Sequence, residues 1–229
     1  MEKYNYLKEQ LKNSMTLDGV VQKRYYHSLE VAKKALEINE RLKLGLNPDK
    51  VYLAGLLHDA AKLKSDEYLW KIIENEFPDS LDMFKDSKPI WHSLAGPYVV
   101  KNEYGIDDEE ILSAICFHST GKENMSTLDK VLFVADYIED TRGGDWVKKA
   151  VEMSFIDLDK TVKIKEELLK MDLPALQKLW ECNDDIAELN FKRLQNMNLE
   201  RNLTPAVFVY DGLQYQHIVF PLNRLNGRK

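Results

Sequence analysis

The stretch Ala54-Gly55-Leu56-Leu57-His58-Asp59-Ala60-Ala61-Lys62 limits the fold of this chain more than any other. An apolar run carries an imidazole and a carboxylate side by side, into what reads as the middle of a buried helix. Adjacent residues on a helix point about 100° apart. Both heads reach one point only if something lies between them, and a divalent metal ion makes burial of such a pair tolerable. The plainer alternative is a core histidine with a satisfied hydrogen bond beside a helix-terminal acid. Either way, other helices must surround this run.

Those helices are legible. Residues 4–13 read as a short polar helix. From about Leu17 to Leu44, apolar positions including Val20, Val21, Val31, Ala35 and Ile38 recur at helical spacing, and Gly45 supplies the stop. Asn47-Pro48 pairs an N-cap with proline at the first helical position, opening the helix that carries His58-Asp59. Ser65 caps another helix, broken at Phe77-Pro78. One more is expected from Trp91 to Tyr104, ending at Gly105. The acidic turn Asp107-Asp108-Glu109-Glu110 suits the positive end of the helix that closes at His118. Ser126 to Asp129 caps an apolar helix holding Asp136. Two or three further helices are expected from 145 to 197, with Pro174 as a break.

The fold class expected is all-α, a helical bundle. The tail differs in kind. Residues 206–220 are two β-rich runs around Asp211-Gly212, a strong hairpin signal. The expected organisation is a helical domain over 1–198 and a β-hairpin extension over 199–229.

Charge narrows the partners. The net charge is -6 with no basic block, which argues against non-specific nucleic-acid binding. A polyphosphate ligand would therefore need local cations. Cys116 and Cys182 lie in apolar helical contexts, so no disulfide framework is indicated and a reducing cytoplasm fits. No apolar run approaches the ~20 residues of a membrane span, and the first residues show no signal-peptide pattern.

The chemistry lies in an ordered set: His27, His58-Asp59, His92, His118 and Asp136. Asp136 sits on one of the most apolar helices, where a carboxylate is costly unless paired, metal-bound or able to reach solvent. Mixed imidazole and carboxylate donors suit Fe, Mn or Zn better than Mg or Ca. His217 falls outside the pattern.

This order resembles the HD-domain metal-dependent phosphohydrolases, whose signature is His…His-Asp…Asp. The stretches 54–62, 91–97, 104–109, 114–121 and 129–139 narrow it. Together they resemble the bacterial YqeK group, which is associated with symmetrical cleavage of diadenosine tetraphosphate to two ADP and carries iron. The likeness is close from about Tyr25 to Asp145 and fades after about Met171. Asp140 stands where the group usually has proline, and the tail has no counterpart in it.

The resemblance implies that His27, His58, Asp59 and Asp136 hold a metal, iron before Mn or Zn. It implies Asp59 as the catalytic proton acceptor. His92 and His118 either meet the phosphates or hold a second ion. Substrate contacts are expected from His27, Asp59, Lys62, His92, His118, Asp136 and Arg142, with Arg142 suited to a bidentate phosphate clamp. Lys122 is a weaker candidate, and residues 170–175 are expected to line the nucleoside pocket. The implied partner is a dinucleoside polyphosphate or a nucleoside diphosphate, with a homodimer left open. Alternatives are another HD nucleotide phosphohydrolase, a di-iron HD oxygenase and a nucleotide-sensing module.

Overall fold

The computed structural model describes residues 4–85, 87–139 and 153–162. The chain divides into two compact units, and the described residues up to Glu139 belong to the first. That unit runs α1 (Asn5–Ser14), β1 (Thr16–Leu17), β2 (Val20–Val21), α2 (Lys23–Arg41), α3 (Pro48–Leu57), α4 (Asp66–Glu76), α5 (Leu81–Phe84), α6 (Trp91–Tyr104), α7 (Glu109–Phe117) and α8 (Thr127–Ile138). It is an all-α bundle with one small antiparallel hairpin.

α3 is the central helix. It packs against α2, α7 and α8, and every residue from Val51 to Leu57 is buried. A helix enclosed on several sides is apolar all round rather than along one stripe. That is why the run before His58 is continuous. Gly55 permits the closest approach: a Cβ there would stand 2.5 Å from the Ala32 Cα of α2. Gly96 plays the same part between α6 and α7, where a Cβ would meet Ile115 Cγ2 at 2.8 Å.

The helix starts follow the caps. The Asn47 side chain accepts from the Asp49 amide, Ser65 from Tyr68, and Asp108 from both Glu110 and Ile111. Ser126 and Asp129 form a reciprocal capping box. Gly105 closes α6 in the left-handed conformation at φ 69°.

Two expectations need correction. The long helix expected from Leu17 begins only at Lys23 and ends at Arg41. In front of it, Asp18 (φ 49°) and Gly19 (φ 75°) make a two-residue turn that pairs Leu17 with Val20 and Thr16 with Val21. Asp-Gly with both residues at positive φ is the turn that matches strand twist. The second correction concerns His58-Asp59. They do not lie mid-helix, because α3 ends at Leu57, His58 is its C-cap and Asp59 follows in a turn.

Of the helices expected over 145–197, only 153–162 is described, with helical turns at 153–154 and 158–162. The hairpin expected over 206–220 lies outside the described residues. Among the described residues no helix is long and apolar enough to cross a membrane.

Candidate metal centre

α3 and α7 end in the same way. Carbonyls of a last helical turn run out of intrahelical donors. At both C-caps a histidine meets one of them: His58 Nδ1 lies 2.8 Å from the Gly55 carbonyl oxygen, and His118 Nδ1 lies 2.7 Å from that of Ile115. A carbonyl only accepts, so each Nδ1 donates and each Nε2 keeps its lone pair. The two rings pack edge to face with centroids 4.9 Å apart. His27 from α2 and His92 from α6 join them. His27 Nε2 comes within 3.2 Å of His58 Nε2, and His92 Nε2 within 3.3 Å of His118 Nε2.

Asp59 lies between these two pairs. Its Oδ2 faces His58 Nε2 at 3.5 Å and His27 Nε2 at 3.8 Å. Its Oδ1 faces His92 Nε2 at 3.3 Å and His118 Nε2 at 3.6 Å. Asp136, near the end of α8, brings Oδ1 to 3.2 Å from His27 Nε2 and 3.9 Å from His58 Nε2. One donor atom each from His27, His58 and Asp136 lie within 4.8 Å of one another, and so do those of His58, Asp59 and His118. Lone pairs and carboxylate oxygens converging in a buried space need a cation, and these donor types fit a divalent metal.

Protonation suits ligation. Burial, the largest influence, pushes His58 down to about 3. Burial, followed by the Lys62 ammonium, does the same to His92. Both rings are therefore neutral near pH 7. Burial alone would raise the Asp59 carboxyl. The His58 ring, the Arg24 guanidinium and the facing rings of His118 and His92 outweigh it and hold Asp59 well below the usual range. His27 is the opposite case: burial lowers it, but hydrogen bonds to Asp136 and Glu139 raise it above its ordinary value.

Of the residues expected from sequence, His27, His58, Asp59, His92, His118 and Asp136 are brought together. Lys62 is with them, its Nζ 3.1 and 3.2 Å from the two ring nitrogens of His92. Arg142 and residues 170–175 lie outside the described residues. Lys122 is directed elsewhere: it pairs with Asp129 at 2.9 Å, tying the loop after His118 to the α8 cap.

The structure adds three residues that sequence reasoning missed. Arg24 Nη1 meets Asp59 Oδ2 at 2.9 Å. Glu139 Oε1 meets His27 Nδ1 at 3.1 Å. Ser119 Oγ lies 3.0 Å from His118 Nε2 and 3.4 Å from His92 Nε2. Arg24 was detectable, since it precedes His27 by three residues and shares its helix face.

An all-α bundle whose helix ends deliver imidazoles and carboxylates to one buried cluster defines the class as a divalent-metal-dependent hydrolase. A family model described as HD domain matches residues 24–141, and the chain belongs to the HD-domain family. It is 34% identical over 139 residues to the symmetrical bis(5'-nucleosyl)-tetraphosphatase of Bacillus subtilis, covering 61% of this chain and 73% of that protein. A crystal structure of a predicted HD superfamily hydrolase involved in NAD metabolism, from Clostridium acetobutylicum, superposes with a TM-score of 0.63 at 30% identity, over 83% of this chain and 97% of that one.

Residues 142–222 match a second family model, described as peroxide stress protein YaaA. A UPF0246 protein of Ligilactobacillus salivarius is 48% identical over 58 residues, which is 25% of this chain and 24% of that protein.

Proposed function

We propose that this chain hydrolyses diadenosine tetraphosphate and similar dinucleoside polyphosphates symmetrically, adding one water to give two nucleoside diphosphates. The observation that carries this reading is Asp59, one buried carboxylate whose two oxygens face two separate histidine pairs. The kinship with symmetrical bis(5'-nucleosyl)-tetraphosphatases supports the substrate class.

In this reading His27, His58, Asp59 and Asp136 hold the metal; the mixed donor set suits Fe, Mn or Zn, and we infer iron first from the resemblance to the YqeK group. Bound there, the ion supplies an acidified water nucleophile and a Lewis acid for a phosphoryl oxygen. The protein's own groups do the rest. Asp59, ionised near neutral pH, accepts the proton of the attacking water. Its Oδ1, between His92 and His118, is the oxygen farther from the His27 side. Lys62 provides a donor and positive charge for the phosphates in a protein of net charge -6, beside the imidazoles of His92 and His118. The bundle buries His58, Asp59 and His118 and so excludes bulk water. Arg142 is proposed as a further phosphate clamp.

The sequence expectation put a domain boundary at 198. We propose instead that the hydrolase unit ends near 142, where the two family matches meet. A reducing, cytoplasmic setting is proposed from the chain's two cysteines.

The test is to load the full-length chain with Fe²⁺ or Mn²⁺ and follow diadenosine tetraphosphate by ion-exchange chromatography. ADP as the only product is expected. ATP together with AMP would overturn symmetrical attack, and no turnover with either metal would overturn the hydrolase reading.

A further inference from the structure

The histidines of the cluster differ in what stands behind them. His58 and His118 each turn Nδ1 toward a backbone carbonyl, a neutral acceptor. His27 turns Nδ1 toward the Glu139 carboxylate at 3.1 Å. Glu139 is 1% exposed, and burying a carboxylate is costly unless it is paired. It is the residue after α8, where the backbone leaves the helix for an extended conformation (φ -62°, ψ 151°). That change of direction lets Asp136 and Glu139, three residues apart, reach opposite nitrogens of one ring. Asp136 Oδ1 is 3.2 Å from His27 Nε2.

A carboxylate behind a ligating imidazole fixes its tautomer and orientation and makes it a stronger donor. The other side of the cluster lacks this device in the described residues and has the Lys62 ammonium against His92 instead. An ammonium beside a donor ring opposes a second cation there.

We propose that Glu139 is a positioning residue of the metal centre: by orienting His27 from behind and strengthening it as a donor, it makes the side formed by His27, His58 and Asp136 the tight metal position. This rests on the metal-dependent reading above, and the experiment separates the two. The full-length chain is stripped with a chelator and titrated with Mn²⁺ alone, with free Mn²⁺ read from its electron paramagnetic resonance signal. Glu139→Ala removes both hydrogen bond and charge. Glu139→Gln keeps an acceptor of the same shape and removes only the charge.

The expected result is a tight binding step weakened by about 10–100-fold in Glu139→Ala. Glu139→Gln should fall between it and the unaltered chain, and any weaker second step should be unmoved in both. A merely structural role predicts instead that Glu139→Gln binds like the unaltered chain. That result, or Mn²⁺ affinities within twofold for both variants, overturns the proposal and leaves the hydrolase reading standing. An unaltered chain that takes up no Mn²⁺ overturns both.

Discussion

α3 and α7 end with the same backbone device and then diverge by one residue. Each closes on a histidine whose Nδ1 meets the carbonyl three residues back. After His58 comes Asp59, and after His118 comes Ser119. The carboxylate is 2% exposed and faces imidazoles on both sides, whereas the hydroxyl offers only neutral contacts to His118 and His92. Geometry alone therefore does not make the two ends equivalent. The α3 side gathers the charge of Asp59, Asp136 and, behind His27, Glu139. Among the described residues, the α7 side shares the Oδ1 atom of Asp59 and has a lysine as neighbour.

The most severe way to break this asymmetry is Asp59→Asn, which removes the charge from both sides while keeping the shape. Release of ADP from diadenosine tetraphosphate should fall by at least ~10³-fold, about 4 kcal/mol of transition-state stabilisation. A loss below tenfold would mean that Asp59 is neither ligand nor proton acceptor.

The scaffold comparison comes next. Gly55→Ala presses a methyl group onto the Ala32 backbone of α2, and Gly96→Ala presses one onto a side-chain methyl of α7. Overpacking costs about 1–3 kcal/mol. We expect Gly55→Ala at or above the top of that range and Gly96→Ala lower, because a methyl group yields more easily than backbone. Thermal unfolding of the two variants checks the order; a reversal would show that α7 is the more rigidly held helix.

Ser119→Asp gives the α7 end the residue type of the α3 end. The weaker step of Mn²⁺ binding should tighten by about tenfold, or about 1.4 kcal/mol, as measured by equilibrium dialysis. An unchanged isotherm would place the asymmetry in Lys62 rather than in the residue after His118.

The smallest effects belong to the helix starts. Asn47→Ala on α3 and Asp108→Ala on α7 should each cost about 1 kcal/mol in urea unfolding. Asp108 carries a pH signature that Asn47 lacks. Burial alone would raise its carboxyl, but Lys50 at 2.9 Å and the amides of Ile111 and Glu110 lower it. A carboxylate lowered on folding adds stability that is fully present above its unfolded value near 3.9 and drains as pH falls through the folded one. The gap between Asp108→Ala and the unaltered chain should therefore narrow below about pH 4. The gap for Asn47→Ala should stay constant.

Much of this was legible because caps, glycine stops and a buried His-Asp pair are local signals. Asn47, Ser65 and Ser126 cap helices where their sequence suggests, and Asp108 caps the helix whose acidic first turn the sequence showed. The six metal-type residues converge because each stands near a helix end or on a core face. What stayed hidden depends on relations that periodicity does not carry. Asp18-Gly19 was masked by the apolar residues Val20 and Val21, which continue a helical spacing into α2. Glu139 lies one residue beyond α8, where helical phase no longer says which way a side chain turns. Lys122 looked available, yet it pairs with Asp129, a residue whose sequence role is helix capping. The point where the first family match gives way to the second, near 142, was marked by no chemical motif.

One carboxylate reaching two histidine pairs also limits how this protein can vary. A substitution at His27 changes what Oδ2 of Asp59 must balance, and through the same resonating group changes what Oδ1 offers His118. Losses from paired substitutions on the two sides should not add. Neither histidine pair can drift, adapt or decay as an independent part, so sequences of this kind would change at both pairs together or at neither.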